Sequence, residues 1–244
     1  MPQRSVVEPW LCLGRGWSVY AGPVRQNRAH RHHLVQIAWS AAEPIAMMVG
    51  TGSPSPTVAT GHAIDAGVVH RLDAASALRI VFLDPALPQA RPWRRMAEGG
   101  AAVLSPPLVS QLEAGLGGWT SATGDLSAAE TDERRAAVEG WLDARLEMPI
   151  RAAAAAEAVG LSEGRFLHWF AACHGLPFRA WLRWLRLQRA LRCLAQGHSL
   201  TAAAHAAGFA DSAHFSRTFS AAFGMAPREL LHVHIELSGA AGPL

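Results

Sequence analysis

Apolar residues change their spacing a little past the middle of the chain. Up to about residue 100 they come in bursts of four to seven, such as "VQIAW", "AMMV", "GVVHRL" and "ALRIVFL", separated by glycine, proline, asparagine or aspartate. Bursts of that length between turn signals predict short strands of a sandwich or barrel. Residues 101–130 shift to small and turn-forming types, which predict one helix near Leu108–Leu116 and then a connector. From Thr131 to about Leu231 the apolar residues recur at helical spacing. The last thirteen residues look like a loose tail, in which "HVHIEL" is the one stretch able to cap something. The expected fold class is therefore α+β in two domains. A β-rich unit over 1–105 is followed by a linker region over 106–130, an all-α unit over 131–231 and a tail over 232–244.

A single pattern occurs twice within the helical region. "AAEAVGLSEGRFLHWFAACHGLPFRAWL" (155–182) and "AAHAAGFADSAHFSRTFSAAFGMAPREL" (203–230) each run from a small-residue helix to a glycine, Gly160 or Gly208. An apolar residue follows, then a helix start that Ser162 or Asp211 can cap. A phenylalanine pair four residues apart comes next, Phe166/Phe170 or Phe215/Phe219, and five residues later a terminating glycine, Gly175 or Gly224. The phenylalanines repeat at an offset of 49 and the leading glycines at 48, so the second turn is one residue longer. Each half predicts a helix-turn-helix. Its phenylalanines face inward, and the opposite face of its second helix is open to solvent.

That open face carries Gly164, Arg165, Leu167 and His168 in the first half, and Ser212, Ala213, His214, Ser216 and Arg217 in the second. Between the halves "PFRAWLRWLRLQRALRCLAQG" (177–197) predicts a helix apolar around much of its circumference. Roughly eighteen helical residues span about 27 Å. Such a strut sets two exposed helices near one DNA turn apart, about 34 Å.

Composition narrows the function. The formal charge is only +3, so the chain as a whole is no generic polyanion binder. Its basic character is local and comes from arginine alone. Between Met148 and Arg228 stand nine arginines against three acids. Cys12, Cys173 and Cys193 are odd in number and lack CxxC spacing, which indicates neither a disulfide framework nor a zinc finger. The longest uncharged run, Pro44–Ile64, is broken by three prolines and three glycines and is no membrane span. No apolar signal segment opens the sequence, and the expectation is a cytoplasmic protein. No Ser/His/Asp arrangement or phosphate-cradling glycine loop stands out, so a non-enzyme is expected.

On "LSEGRFLHWFAACHG", "WLRWLRLQRALRCLAQG" and above all "AAHAAGFADSAHFSRTFSAAFGMAPREL", residues 131–231 resemble the C-terminal domain of the AraC/XylS family of transcription regulators. The resemblance implies two helix-turn-helix units in successive major grooves of double-stranded promoter DNA. It also implies a small-molecule effector or dimerisation function in the N-terminal domain, and activation through contact with RNA polymerase, with repression as the other outcome. Two departures are visible: "RAAAAAEAVG" is unusually alanine-rich, and Ala210 stands where a cap serine is usual. Arg165 and Arg217 are the best candidates for base or phosphate contact. Arg179 and Arg183 meet phosphate or line a solvated face, His168 is either a contact or a solvated ring, and Arg186 is expected to be structural.

The one cluster with candidate metal or ligand chemistry is "AHRHHLVQIAWS" (29–40). His30, His32 and Gln36 have even spacing and would share one face of a strand, while His33 alternates to the other. His70 can complete the set from a neighbouring strand. The pattern resembles the degenerate cupin barrel found at the N-terminus of many AraC-family proteins, with Gln36 where a metal-binding cupin carries glutamate. Three readings stand: a small-ligand pocket, a metal site weakened by the missing anion, or plain core or surface histidines. His30, His32, Gln36 and His70 are expected as an effector-binding set, with no metal or cofactor. The rival is a metal-dependent cupin enzyme with an appended helical domain. Trp17 and Trp39 either line a cavity or belong to the core.

Overall fold

The computed structural model describes residues 8–14, 16–25, 27–51, 55–121 and 133–238. Its N-terminal region is built from strands β1 (Trp10–Gly14), β2 (Trp17–Val24), β3 (Val35–Trp39), β4 (Ile45–Val49), β5 (Thr57–Ala59), β6 (Gly61–Ile64), β7 (His70–Leu72) and β8 (Ala75–Leu83). Helix α1 (Arg91–Ala97), strand β9 (Ala101–Val103) and helix α2 (Pro106–Ser121) follow. The C-terminal region holds α3 (Glu133–Asp143), α4 (Ala152–Glu157), α5 (Glu163–His174), α6 (Phe178–Ala195), α7 (Leu200–Ala206) and α8 (Ser212–Phe223). A 3₁₀ turn at Pro227–His232 and strand β10 (His234–Leu237) close the described chain.

The strands form a seven-stranded sheet in the order β10-β1-β2-β8-β3-β6-β9 and a three-stranded sheet in the order β5-β4-β7. Both faces of the large sheet are covered, which is why its strands read as nearly continuous apolar runs. Successive side chains point to opposite faces. Val35, Ile37, Trp39, Val81 and Leu83 go to one face, with Trp17, and pack beneath α2 residues Val109 and Leu112. Ala38, Ile80, Phe82, Leu11 and Tyr20 go to the other face, where they meet Ile45, Met47 and Leu72 of the small sheet and then α6, α7 and α8. Trp17 and Trp39 thus lie in the core under α2, where the Trp39 indole N–H donates to Glu113 Oε2 at 2.8 Å. The cavity reading for these two is corrected, because the period of two turns them away from the cavity on the opposite face.

Each helix-turn-helix forms where the repeated pattern predicts it. The α7–α8 turn passes through Gly208 at φ +75°, where any Cβ would collide with the Leu146 carbonyl oxygen. Glycine is required there both for its backbone angle and for the close approach. Asp211 caps α8, its carboxylate accepting the His214 N–H at 2.6 Å. Ser162 stands at the corresponding position of α5 without making a side-chain cap bond.

The tail expected over 232–244 is not loose across its described residues. Residues 234–237 form β10, parallel to β1, with Trp10 opposite His234 and Leu13 opposite Leu237. Alternating "HVHIEL" supplies the open edge of β1 with a partner, so the all-α unit ends in a strand of the N-terminal sheet. The helix expected near Leu108–Leu116 extends over Pro106–Ser121. The remainder of the connector, residues 122–132, and residues 239–244 lie outside the described residues. No helix of the described residues is long and apolar enough to cross a membrane.

Candidate nucleic-acid interface and ligand cavity

The two second helices bury one face and present the other. In α5, Phe166 and Phe170 are fully buried, while Gly164, Arg165, Leu167 and His168 are exposed. In α8, Phe215 and Phe219 are buried, and Ala213 and Arg217 are exposed. Ser212, His214 and Ser216 are half-buried. The His214 ring stands edge-on to Phe209, with centroids 5.3 Å apart, so it is less free than the repeat suggests.

The arginine surplus divides into two kinds. Arg165, Arg179, Arg183 and Arg217 are exposed. Arg186 reaches across to donate from Nη2 to the Met148 carbonyl at 2.9 Å, and Arg189 pairs with Glu147 at 3.6 Å. These two tie α6 to the end of the α3–α4 connection, which fits the structural role expected of Arg186. Arg179, Arg183 and Arg186 also line a groove of about 270 Å³ with Pro149, Ile150 and Phe178. Arg183 lies close enough to His33 to add to the burial that disfavours its imidazolium.

The first half has a buried polar network that the repeat did not reveal. His174 is fully buried, stacked on Phe170 at 3.8 Å, and its Nε2 lies 3.2 Å from Glu139 Oε1. Arg135 Nε donates to the same oxygen at 2.8 Å. The network locks α5 to α3, and α3 lies outside the repeat.

Behind the second half is a cavity of about 60 Å³. The sheet contributes Leu11, Tyr20, Ile80 and Phe82, and the helical domain contributes Leu191, Phe219, Phe223 and Met225. His30, Gln36, Ser18 and Asn27 supply polar groups to an otherwise apolar wall. The helical contribution escaped the repeat analysis, although Phe223 stands four residues after Phe219 and extends its apolar face.

The four N-terminal residues singled out by spacing come together. His30, His32, Gln36 and His70 are all buried. His32 Nε2 and His70 Nε2 lie 2.9 and 3.2 Å from Gln36 Oε1. The His30 and His70 rings are 4.4 Å apart between centroids. The expected placement of His30 and His32 on one strand is corrected. His30 makes a single antiparallel bridge to His70, and His32 lies outside any strand, just before the bend at His33 and Leu34 that leads into β3. They share a side because the backbone is extended there, without the ladder of a strand. Burial holds His30 and His32 below the ordinary histidine value and brings His70 down to about 4.

The cavity and the second half are physically continuous. His32 meets Phe82 edge-on at 5.2 Å, Phe82 meets Phe223 at 5.6 Å, and Phe223 meets Phe219 at 4.6 Å. At the end of α8, Gly224 adopts φ +70°, and a Cβ there would lie 2.7 Å from His30 Nδ1. The Arg28 N–H donates to the Gly224 carbonyl at 3.2 Å.

Taken together, this is a sheet domain joined to a tandem helix-turn-helix domain, with an internal cavity at their junction. Residues 155–232 match the helix-turn-helix domain family. Over 59 residues the chain is 48% identical to the HTH-type transcriptional activator RhaS of Pectobacterium carotovorum subsp. carotovorum (strain PC1), and equally to RhaS of Pectobacterium atrosepticum. That match spans 24% of this chain and 21% of each relative. Across 89% of the chain the fold is similar to ToxT of Vibrio cholerae strain SCE256. An apo form, 97% covered, gives a TM-score of 0.56, and an unsaturated fatty acid-bound form, 95% covered, gives 0.55, each at 12% identity.

Proposed function

We propose that the protein is a cytoplasmic, sequence-specific regulator of transcription that binds promoter DNA through α5 and α8. The observation that carries this reading is the paired arrangement of two helices with buried phenylalanines and outward arginines, Arg165 and Arg217. Recognition helices need one such free face. Around them, Gly164, Leu167, His168, Ser212, Ala213, His214 and Ser216 line the DNA-facing surface, and Arg179 and Arg183 meet phosphate. The domain division follows: an effector domain over 1–105, a connecting region over 106–130, and the DNA-binding unit over 131–231. The protein acts by binding and not by catalysis. Activation through RNA polymerase fits the relatives named as activators, and a homodimer would bind paired sites.

The effector in this reading is a small, largely apolar molecule in the junction cavity. A bound fatty acid is recorded for ToxT, whose fold is similar. Here His30 and Gln36 would hold its polar end, while His32 and His70 back them. A ligand shifts the protein between arrangements only as far as it binds one of them better. A cavity walled by both domains supplies that difference.

Selection from random duplex DNA with the full-length protein tests the reading. The expected product is a motif of two short elements about 10 base pairs apart. On that motif Arg217→Ala is expected to weaken binding by about 1–3 kcal/mol if the residue reads a base. If it meets phosphate, all sequences weaken together and the salt slope falls by about one. An enriched motif with a single element would remove one helix from the interface, and unchanged binding by a folded Arg217→Ala would remove Arg217.

A further inference from the structure

His174 closes the first helix-turn-helix in a setting that fixes its charge. The ring is fully buried at the last residue of α5. It stacks on Phe170 with centroids 3.8 Å apart and planes at 10°. Its Nδ1 lies 3.1 Å from the Phe170 carbonyl oxygen, and its Nε2 lies 3.2 Å from Glu139 Oε1. The Arg135 guanidinium donates to the same Oε1 at 2.8 Å, which makes Glu139 the carboxylate of a charge-assisted pair. A carbonyl and a carboxylate only accept, so a ring held between them donates from both nitrogens. A neutral imidazole has a single N–H and would turn a lone pair on one of the two oxygens. A flat stack on Phe170 suits a cation, and so does the carbonyl end of a helix.

The same ring stands at the seam between the domains. Gly175, the next residue, contacts Pro85 and Ala86 in the turn after β8. Asp84 in that turn is buried, and its carboxyl feels the charges of His174, Arg135 and Glu139. Two cations, Arg135 and His174, thus balance two carboxylates, Glu139 and Asp84. Helix α6 faces the ring with Trp181, which brings no charge. Without its second proton, His174 would leave two carboxylates against one guanidinium, and an uncompensated buried charge is strongly destabilising. The second half has no such device, because Phe223 holds the matching place before Gly224. We propose that His174 is a buried imidazolium that positions α5 against α3 and the turn after β8, and that loss of its proton releases the first helix-turn-helix while the second stays in place. The effect on promoter binding rests on the DNA-binding reading above; the charge of the ring and its hold on α5 do not.

Nuclear magnetic resonance of full-length protein with isotope-labelled histidine reports the ring directly. At neutral pH both nitrogens of His174 should appear as N–H, whereas a neutral ring shows one. Raising the pH should remove one proton. Hydrogen-exchange protection, corrected for the intrinsic rate, should then fall by about tenfold or more across α3 and α5, with little change in α8. Glu139→Gln should reach the same state at neutral pH, with a neutral ring and a loosened α5. On a DNA motif with two elements, binding should weaken about tenfold through the first element alone, as when the positioned helix falls to about a tenth of the population. A neutral His174 in folded wild type at neutral pH overturns the proposal. So does a ring that keeps both protons up to about pH 8, or one that loses a proton without loosening α5. Equal weakening at both elements overturns the selective release. If Glu139→Gln fails to fold, the wild-type titration decides. Failure to find any DNA motif would strike the DNA-binding reading and leave the ring and exchange results standing.

Discussion

Behind α5 lie α3 and the first half of α6; behind α8 lies the sheet domain. The core of the first half draws Val138, Leu142, Phe166, Phe170, Phe178, Trp181 and Leu185 from residues 138–185 and takes nothing from the sheets. Phe215 and Phe219 of the second half share one continuous core with Tyr20, Leu78, Ile80 and Phe82. At the helix ends the contrast repeats. Gly224 is pressed against Asn27, Arg28 and His30, whereas Gly175 has only ordinary contact with Pro85 and Ala86. The two halves share a sequence plan but not a foundation. A change in the cavity must therefore be felt by α8 first, because its own core is the cavity wall. The first half reaches the sheet domain at Pro85 and Ala86, beside Gly175.

The strongest test of that contrast removes one ring from each half. Phe219→Ala and Phe170→Ala should each cost about 3–5 kcal/mol. They should differ in where hydrogen exchange accelerates. Loss at Phe219 is expected to loosen β2 and β8 together with α8, while loss at Phe170 is confined to residues 133–185. Equal spreading from both sites would erase the distinction.

A smaller effect is expected at the contact between the first half and the sheets. Asp84 follows β8 and accepts the Ala86 N–H at 2.8 Å. Burial raises its carboxyl to about 6, against lowering contributions from Ala86, His174 and Arg135. Because the folded value lies above the unfolded one, its contribution to stability is full below about pH 4 and is lost as pH rises through about 6. The loss is on the order of 2–3 kcal/mol. Asp84→Asn should remove that slope, seen as a difference between variant and wild-type unfolding curves over pH 4–7. The subtraction matters because the buried histidines act in the opposite sense, stabilising the fold as pH rises over the same range. A variant with an unchanged slope would show that the carboxyl is not desolvated there.

The smallest difference is at the helix starts. Asp211→Ala should cost about 1 kcal/mol, because it leaves the His214 N–H without its acceptor. Ser162→Ala should cost only about a few tenths, since Ser162 makes no cap bond. Thermal unfolding of both variants checks the pair, and equal losses would contradict the asymmetry.

The sequence showed those features of the fold that follow a local period. The tandem repeat, the glycines at 160, 175, 208 and 224 and the Asp211 cap could all be located, because helix geometry and termini are encoded within a few residues. The spacing of His30, His32 and Gln36 and the return of His70 were likewise visible. The orientation of their rings was not, because the carbonyls of Arg28, Leu34 and Val68 that set it come from backbone geometry. Nor did any period indicate that Phe219 and Phe223 would complete a wall begun by Tyr20 and Phe82. That meeting joins positions about 140–200 residues apart, and it depends on how the two domains dock. Trp17 and Trp39 illustrate the same limit: alternation relates positions within one strand, but not which face two separate strands share or which layer covers it.

The pairing of β10 with β1 also bears on how the chain is made. Trp10 finds its partner His234 only after almost everything between them has been synthesised. Until then β1 has β2 on one side and a row of bare N–H and C=O groups on the other. A chain growing from its N-terminus at about 5–20 residues per second carries that open edge for roughly 10–50 seconds. A chain that stops before His234 never covers it. Such an edge is a template for pairing with another chain, and β10 is the strand that covers it.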